Sequence, residues 1–132
     1  MIGIDTNVLL RFLAGDDSRQ SPIAGALVRA AGGKGEAVFV NDIVMAETVW
    51  ALRASFDTAK PELLAALKAL LDSTVFTFES RDVMQHAVDA YAQSGADFAD
   101  CLIVARNVEA GCATTHTFNR KLDTVPGTSS LA

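Results

Sequence analysis

The chain has 132 residues, half of them apolar, and a formal net charge of −5. That size and composition suit one compact domain over residues 1–132 with a real core, and they exclude a disordered chain. Charges interrupt every apolar run short of the roughly 18 residues a membrane helix needs, so no membrane partner is expected. The start, Met1-Ile2-Gly3-Ile4-Asp5, lacks the basic stretch and apolar run of a secretory signal. Cys101 and Cys112 are too few for a disulfide scaffold and lack metal-site spacing, so both are expected to be reduced core thiols of a cytoplasmic protein. Lys and Arg are scattered without a run, and composition alone gives no support for binding a polyanion.

In chain order, Ile2 to Asp5 reads as a short strand, and Thr6 is the expected cap of a helix through about Leu13. Asp16-Asp17-Ser18 breaks it. Ser21-Pro22 opens a second helix, whose apolar residues Ile23, Leu27, Val28 and Ala31 recur at helical spacing up to Gly32-Gly33. Ala37 to Val40 is a strand by its β-branched and aromatic content, and Asn41-Asp42 caps a helix ending near Ser55. Thr58 opens a helix with a wide leucine face, Thr74 to Phe78 is a third strand, and Ser80 caps a helix that stops at Ser94-Gly95. A helix from Asp97 to Gly111, a fourth strand at Cys112 to Thr115, a short helix at Asn119 to Leu122 and an irregular tail complete the reading. Strands separated by helices imply an α/β fold with a short parallel sheet covered by helices.

Four acids stand out because each sits in apolar company: Asp5, Glu47, Asp97 and Asp100. Isolated carboxylates there are costly without a partner, and no matching Lys or Arg lies beside them. Asp5 ends the first strand, on the rim where α/β sheets collect ligands, and Glu47 lies about one turn into the helix after the second strand. Asp97 and Asp100, three residues apart, share a helical face near a helix N-terminus. Gathered together they would repel and raise one another's pKa values unless a hard cation such as Mg2+ or Mn2+ neutralised them. Such a site performs metal-assisted phosphoryl chemistry without a nucleophilic side chain, and no nucleophile elbow, P-loop or zinc motif occurs. Taken singly, each acid also has an ordinary reading: Asp5 as a cap or turn residue, Glu47 as a solvated helix residue, Asp97 as an N-cap. His86 and His116 read as surface or core histidines, and Trp50 and the leucine stripe as core or an oligomer surface.

In order along the chain, Ile4-Asp5-Thr6-Asn7-Val8-Leu9-Leu10-Arg11, Ile43-Val44-Met45-Ala46-Glu47, Ala96 to Ile103 and Thr115-His116-Thr117-Phe118-Asn119-Arg120-Lys121 resemble a PIN domain, most closely the VapC-type toxins of bacterial toxin–antitoxin pairs. The resemblance spans nearly the whole chain. It implies a three-layer α/β sandwich and a Mg2+- or Mn2+-dependent endoribonuclease, usually a homodimer. Such an enzyme is inhibited by a cognate antitoxin, through which alone it meets DNA. By position it makes Asp5, Glu47 and Asp100 the catalytic, metal-binding acids and Asp97 an accessory ligand. Thr6 and Asn7 match residues that support the first carboxylate, Asn7 through hydrogen bonding, while Thr115 and Thr117 match hydroxyl positions beside the site. The family commonly has Asp where this chain has Asn119, a change that keeps a carbonyl and loses a charge. A catalytically weakened PIN domain that binds RNA or an antitoxin is therefore the alternative. A phospho-accepting receiver fits poorly, since Thr77-Phe78-Glu79 and Thr115-His116 stand where it needs Asp and Lys.

Overall fold

A computed structural model describes residues 1–131. Its secondary structure falls into two compact units, Met1–Glu79 and Ser80–Ala132. In the first unit, strands β1 (Ile2–Gly3), β2 (Val38–Val40) and β3 (Phe76–Phe78) form a parallel sheet in that order. Ile2 lies opposite Val38, and Val38 lies opposite Phe76. Helices α1 (Thr6–Ala14) and α2 (Gln20–Gly33) connect the first two strands, and α3 (Asp42–Ala54) and α4 (Lys60–Asp72) connect the next two. Two crossovers through helices are what parallel neighbours require. Val38, Val40, Phe76 and Phe78 are buried, as are Leu9, Met45, Leu63 and Leu67 on the helices. Phe12 of α1 lies against Phe76 with ring centroids 5.6 Å apart.

The second unit pairs α5 (Arg81–Gln93) with α6 (Phe98–Glu109) and adds a parallel pair of strands, β4 (Thr115–Thr117) and β5 (Thr128–Ser130). Tyr91 of α5 and Phe98 of α6 meet edge to face at 5.8 Å. The architecture is α/β with small parallel sheets, as the alternation of elements implied.

Several boundaries differ from the sequence expectation, each for a local reason. Asp5, not Thr6, caps α1: its carboxylate accepts from Val8 N–H at 3.0 Å, and β1 is correspondingly short. Gly15 ends the same helix with φ 61°, a left-handed conformation that glycine adopts without Cβ strain. Helix α4 opens at Lys60 instead of Thr58, with Pro61 in its first turn, where the missing N–H costs no bond. The fourth strand is Thr115–Thr117, not Cys112 to Thr115, and the short helix is a 3₁₀ turn at Leu122–Thr124. Cys112 is exposed, so only Cys101 is a core thiol. The tail read as irregular contains β5. It is polar, held by the β4 ladder, by a 2.7 Å bond between the Thr114 and Ser129 hydroxyls, and by Thr128 Oγ1 donating to Val125 O.

Candidate functional site

In the first unit, Asp5 sits at the end of the β1 segment because that is where the chain turns from sheet to helix. One carboxylate oxygen, Oδ1, is committed to the cap of α1. The next residue, Thr6, donates its hydroxyl to Glu47 Oε1 at 2.7 Å, joining the first turn of α1 to α3. Glu47 is itself positioned by the cap of α3, where Asn41 Oδ1 accepts from Val44 N–H at 2.9 Å and Glu79 accepts from Asp42 N–H at 2.8 Å. Both acids are exposed. Thr6 thus supports Glu47, not the first carboxylate as the family pattern implied. Asn7 does not bond Asp5 either, because its amide nitrogen donates to Gln20 Oε1 at 3.3 Å on the opposite side of α1's first turn.

In the second unit, Asp97 occupies the N-cap position of α6, yet its side chain makes no capping bond. The carboxylate is left exposed one turn from Asp100. Partial burial pushes the Asp100 carboxyl above the ordinary carboxylate range, and the neighbouring Asp97 charge pushes it the same way. Asn119 Nδ2 approaches Asp100 Oδ2 at 3.5 Å, a long bond, while its carbonyl Oδ1 accepts from Lys121 N–H at 3.0 Å. Asn119 therefore faces Asp100 with a donor, and the carbonyl expected as a ligand atom is engaged by the backbone. Thr115 and Thr117 lie two apart, on one face of β4. Thr117 Oγ1 accepts from Asn119 N–H at 2.9 Å and Thr115 Oγ1 accepts from Asn107 Nδ2 at 3.0 Å. These hydroxyls order the chain around Asn119.

The donor set suits a hard cation. Asp5, Glu47, Asp97 and Asp100 offer only oxygen, and none is paired with a Lys or Arg among the described residues. Burial, and then the Asp97 charge, make ionising Asp100 costly, a cost that a bound cation would relieve. Within each unit the acids come in twos. Among the described residues no three His, Cys, Asp or Glu side chains form a group that holds an ion unaided. Two carboxylates accord with Mg2+, which keeps several waters and draws further oxygens from substrate phosphates.

Sequence reading missed Gln20, whose Oε1 accepts from both Asn7 Nδ2 and Arg11 Nε, the latter at 2.9 Å. The one legible signal was Asp17 three residues before it: Asp17 Oδ1 accepts from Gln20 N–H and Arg19 N–H and starts α2. Of the two readings of the leucine stripe, core or oligomer surface, Leu63 and Leu67 take the core one, and Leu9 on α1 is buried as well. Trp50 is 68% exposed, which leaves it for the surface and not the core. No helix among the described residues is long and apolar enough to cross a membrane.

Two comparisons with known proteins bear on this arrangement. A family model described as PIN domain matches residues 2–127, running through both units. A VapC ribonuclease of Aquifex aeolicus (strain VF5) is 25% identical over 118 residues, covering 89% of this chain and 87% of that protein.

Proposed function

We propose, from the premise that this chain belongs to the PIN domain family, that it is an endoribonuclease that needs Mg2+ or Mn2+, and the toxin of a VapBC-type pair in the cytoplasm. The observation that carries the reading is the chemistry of its four acids: oxygen-only donors, unpaired with any cationic side chain, with the Asp100 carboxyl held above its ordinary range by burial and by Asp97. Similarity to a VapC ribonuclease over most of both chains supports it. Asp5, Glu47 and Asp100 are proposed as catalytic, metal-binding acids and Asp97 as an accessory one, in a chain read as a single PIN-like domain, residues 1–132. Bound there, the ion supplies charge stabilisation at phosphoryl oxygens and acidifies a water. The chain's own residues do the holding: Thr6 fixes Glu47 through its hydroxyl, the α1 cap fixes Asp5, and Thr117 orders Asn119 beside Asp100.

The partners proposed are RNA, a cognate antitoxin and a second copy of the chain, with DNA met only through the antitoxin. Exposed apolar side chains on α2 and α3, among them Ile23, Ile43 and Trp50, support protein partners of this kind. Purified protein should cut structured RNA when Mg2+ or Mn2+ is present and lose the activity in Asp5→Asn and Asp100→Asn. Intact RNA with the wild-type protein at every divalent cation tried would refute the enzyme reading. A second reading is supported by Asn119, which turns a donor towards Asp100 and keeps its carbonyl on Lys121 N–H. In that reading the chain is a weakened nuclease that binds RNA or antitoxin. A sharp gain of cleavage in Asn119→Asp distinguishes it.

A further inference from the structure

Arg11, Gln20 and Asn7 form a chain of side chains whose polarity can be worked out from one end. A guanidinium has only donors, so the Gln20 atom facing Arg11 Nε at 2.9 Å must be the carbonyl oxygen Oε1. The same oxygen lies 3.3 Å from the Asn7 amide, so the Asn7 atom facing it must be the donor Nδ2. A flipped Asn7 would set two acceptors against each other. Asn7 Oδ1 is thereby turned away from Gln20, and it has no bonding partner among the described residues. Asn7 is exposed, and with Arg11, Arg19 and Gln20 it forms the polar end of a cavity of about 260 Å³ whose other wall is Val8, Ile23, Ala24 and Leu27.

Each member of the chain is itself anchored. Asp16 lies 3.4 Å from the Arg11 guanidinium and limits its swing. The Asp17 carboxylate accepts from the backbone N–H of Gln20 at 2.6 Å, and that bond with its Arg19 counterpart holds the Asp17 carboxyl below its ordinary value. The start of α2, and with it the base of the Gln20 side chain, is thus held by the preceding turn through backbone N–H groups that Gln20→Met and Gln20→Glu both keep.

We propose that Gln20 is a positioning residue for substrate recognition: it sets the Asn7 carbonyl outward as an acceptor for a hydrogen-bond donor of bound RNA and aims Arg11 at the neighbouring phosphate. This rests on the ribonuclease reading above. Phosphate oxygens only accept, so they belong to Arg11 and not to Asn7 Oδ1. The donors RNA offers are its 2′-hydroxyls and the amino and imino groups of its bases, and the 2′-hydroxyl is the one that marks RNA from DNA.

The test compares Gln20→Met, which matches the side chain in size but has no oxygen, with Gln20→Glu, which keeps an acceptor for both donors. RNA binding is read by fluorescence anisotropy on the Asp100→Asn background, where no cleavage intervenes, and cleavage is read separately on the otherwise wild-type chain. Gln20→Met is expected to weaken RNA binding and raise KM roughly threefold to tenfold, the worth of about one hydrogen bond, with kcat little changed. Gln20→Glu should restore both, and the Asn7 side-chain amide resonances should shift in the Met variant alone. Oligonucleotides with single 2′-deoxy positions should reproduce the Met variant's loss in wild type if a ribose donor is read; single-base changes should do so if a base donor is read. Unaltered binding, KM and Asn7 resonances in Gln20→Met, with melting temperature unchanged, would overturn the proposal while leaving wild-type cleavage, and so the ribonuclease reading, intact. Wild-type RNA that is neither bound nor cut would overturn both.

Discussion

In the first unit, Asp5 and Glu47 each spend one oxygen on a neutral donor: a backbone N–H for Asp5, the Thr6 hydroxyl for Glu47. In the second, Asp97 has no such donor from its helix cap and Asp100 has only a long contact from Asn119, while burial first and the Asp97 charge second push the Asp100 carboxyl up. One pair is held by neutral donors; the more demanding one sets a partly buried carboxylate beside a like charge. The lesson is that orientation by neutral donors and repulsion between like charges fall on different pairs of acids.

The largest expected effect strikes the demanding pair. Asp100→Asn removes a proposed ligand whose carboxyl is pushed up by burial and by Asp97, and RNA cleavage is expected to fall on the order of 10²-fold or more, since several kcal/mol of charge stabilisation are at stake. Single-turnover rates against Mg2+ concentration measure it; an unchanged rate would show that the second pair is idle. The opposite change, Asn119→Asp, replaces a donor with a second negative charge beside Asp100. It should raise the Asp100 pKa further in metal-free protein, visible in carboxyl NMR titrations, and lower the Mg2+ needed for half-maximal cleavage.

Next comes the pair held by neutral donors. Thr6→Val deletes the hydroxyl that holds Glu47 while keeping the side chain's shape. Loss of a supporting bond to a ligand typically costs 10- to 100-fold in affinity or activity, so the expected drop is roughly tenfold, with about 1 kcal/mol of stability. Thr6→Ser should recover most of both. If Thr6→Val cleaves normally, the contrast between the pairs loses its first half.

A pH experiment isolates the electrostatic difference without an assay of activity. The folded-state pKa of Asp100 is raised above its ordinary value of 3.8. The group's contribution is therefore fully present below that ordinary value and is lost as pH rises through the higher folded value. In EDTA, urea midpoints should show this loss in wild type and not in Asp100→Asn. Asp17 gives the opposite sign: its folded pKa is depressed by the backbone N–H groups of Gln20 and Arg19. Its stabilisation is present above the ordinary carboxylate pKa and fades as pH falls through the depressed value. Asp17→Ala should lower the melting temperature slightly at neutral pH and make no difference in strong acid, the smallest effect of the series.

Much of the helical content was legible in the sequence because its signals are short-range. Ser80 and Asn41 cap their helices through bonds to residues three ahead, as read. The apolar spacing on α4 marked the leucine face of a helix, and the structure decides between its two readings by burying Leu63 and Leu67 in the core. The strands were less legible: β5 has no apolar alternation and exists because β4 offers it a ladder. Among site residues, the acids were found from their oddity in apolar surroundings, and Asp5 proved to be cap as well as candidate ligand. Gln20 was invisible, since nothing about a glutamine at the start of a helix announces the two donors that meet its oxygen.

By itself, then, the sequence determined the alternating α/β order, the caps at Asn41 and Ser80 and the identity of the acidic residues, because caps and periodicity act within a turn of chain. Only tertiary structure decided that Thr6 serves Glu47, 41 residues away, that Asn119 turns its amide to Asp100, and that Gln20 orients Asn7. Such bonds depend on which helix faces pack together, and packing is settled by the burial of the whole apolar set, not by any neighbouring residues.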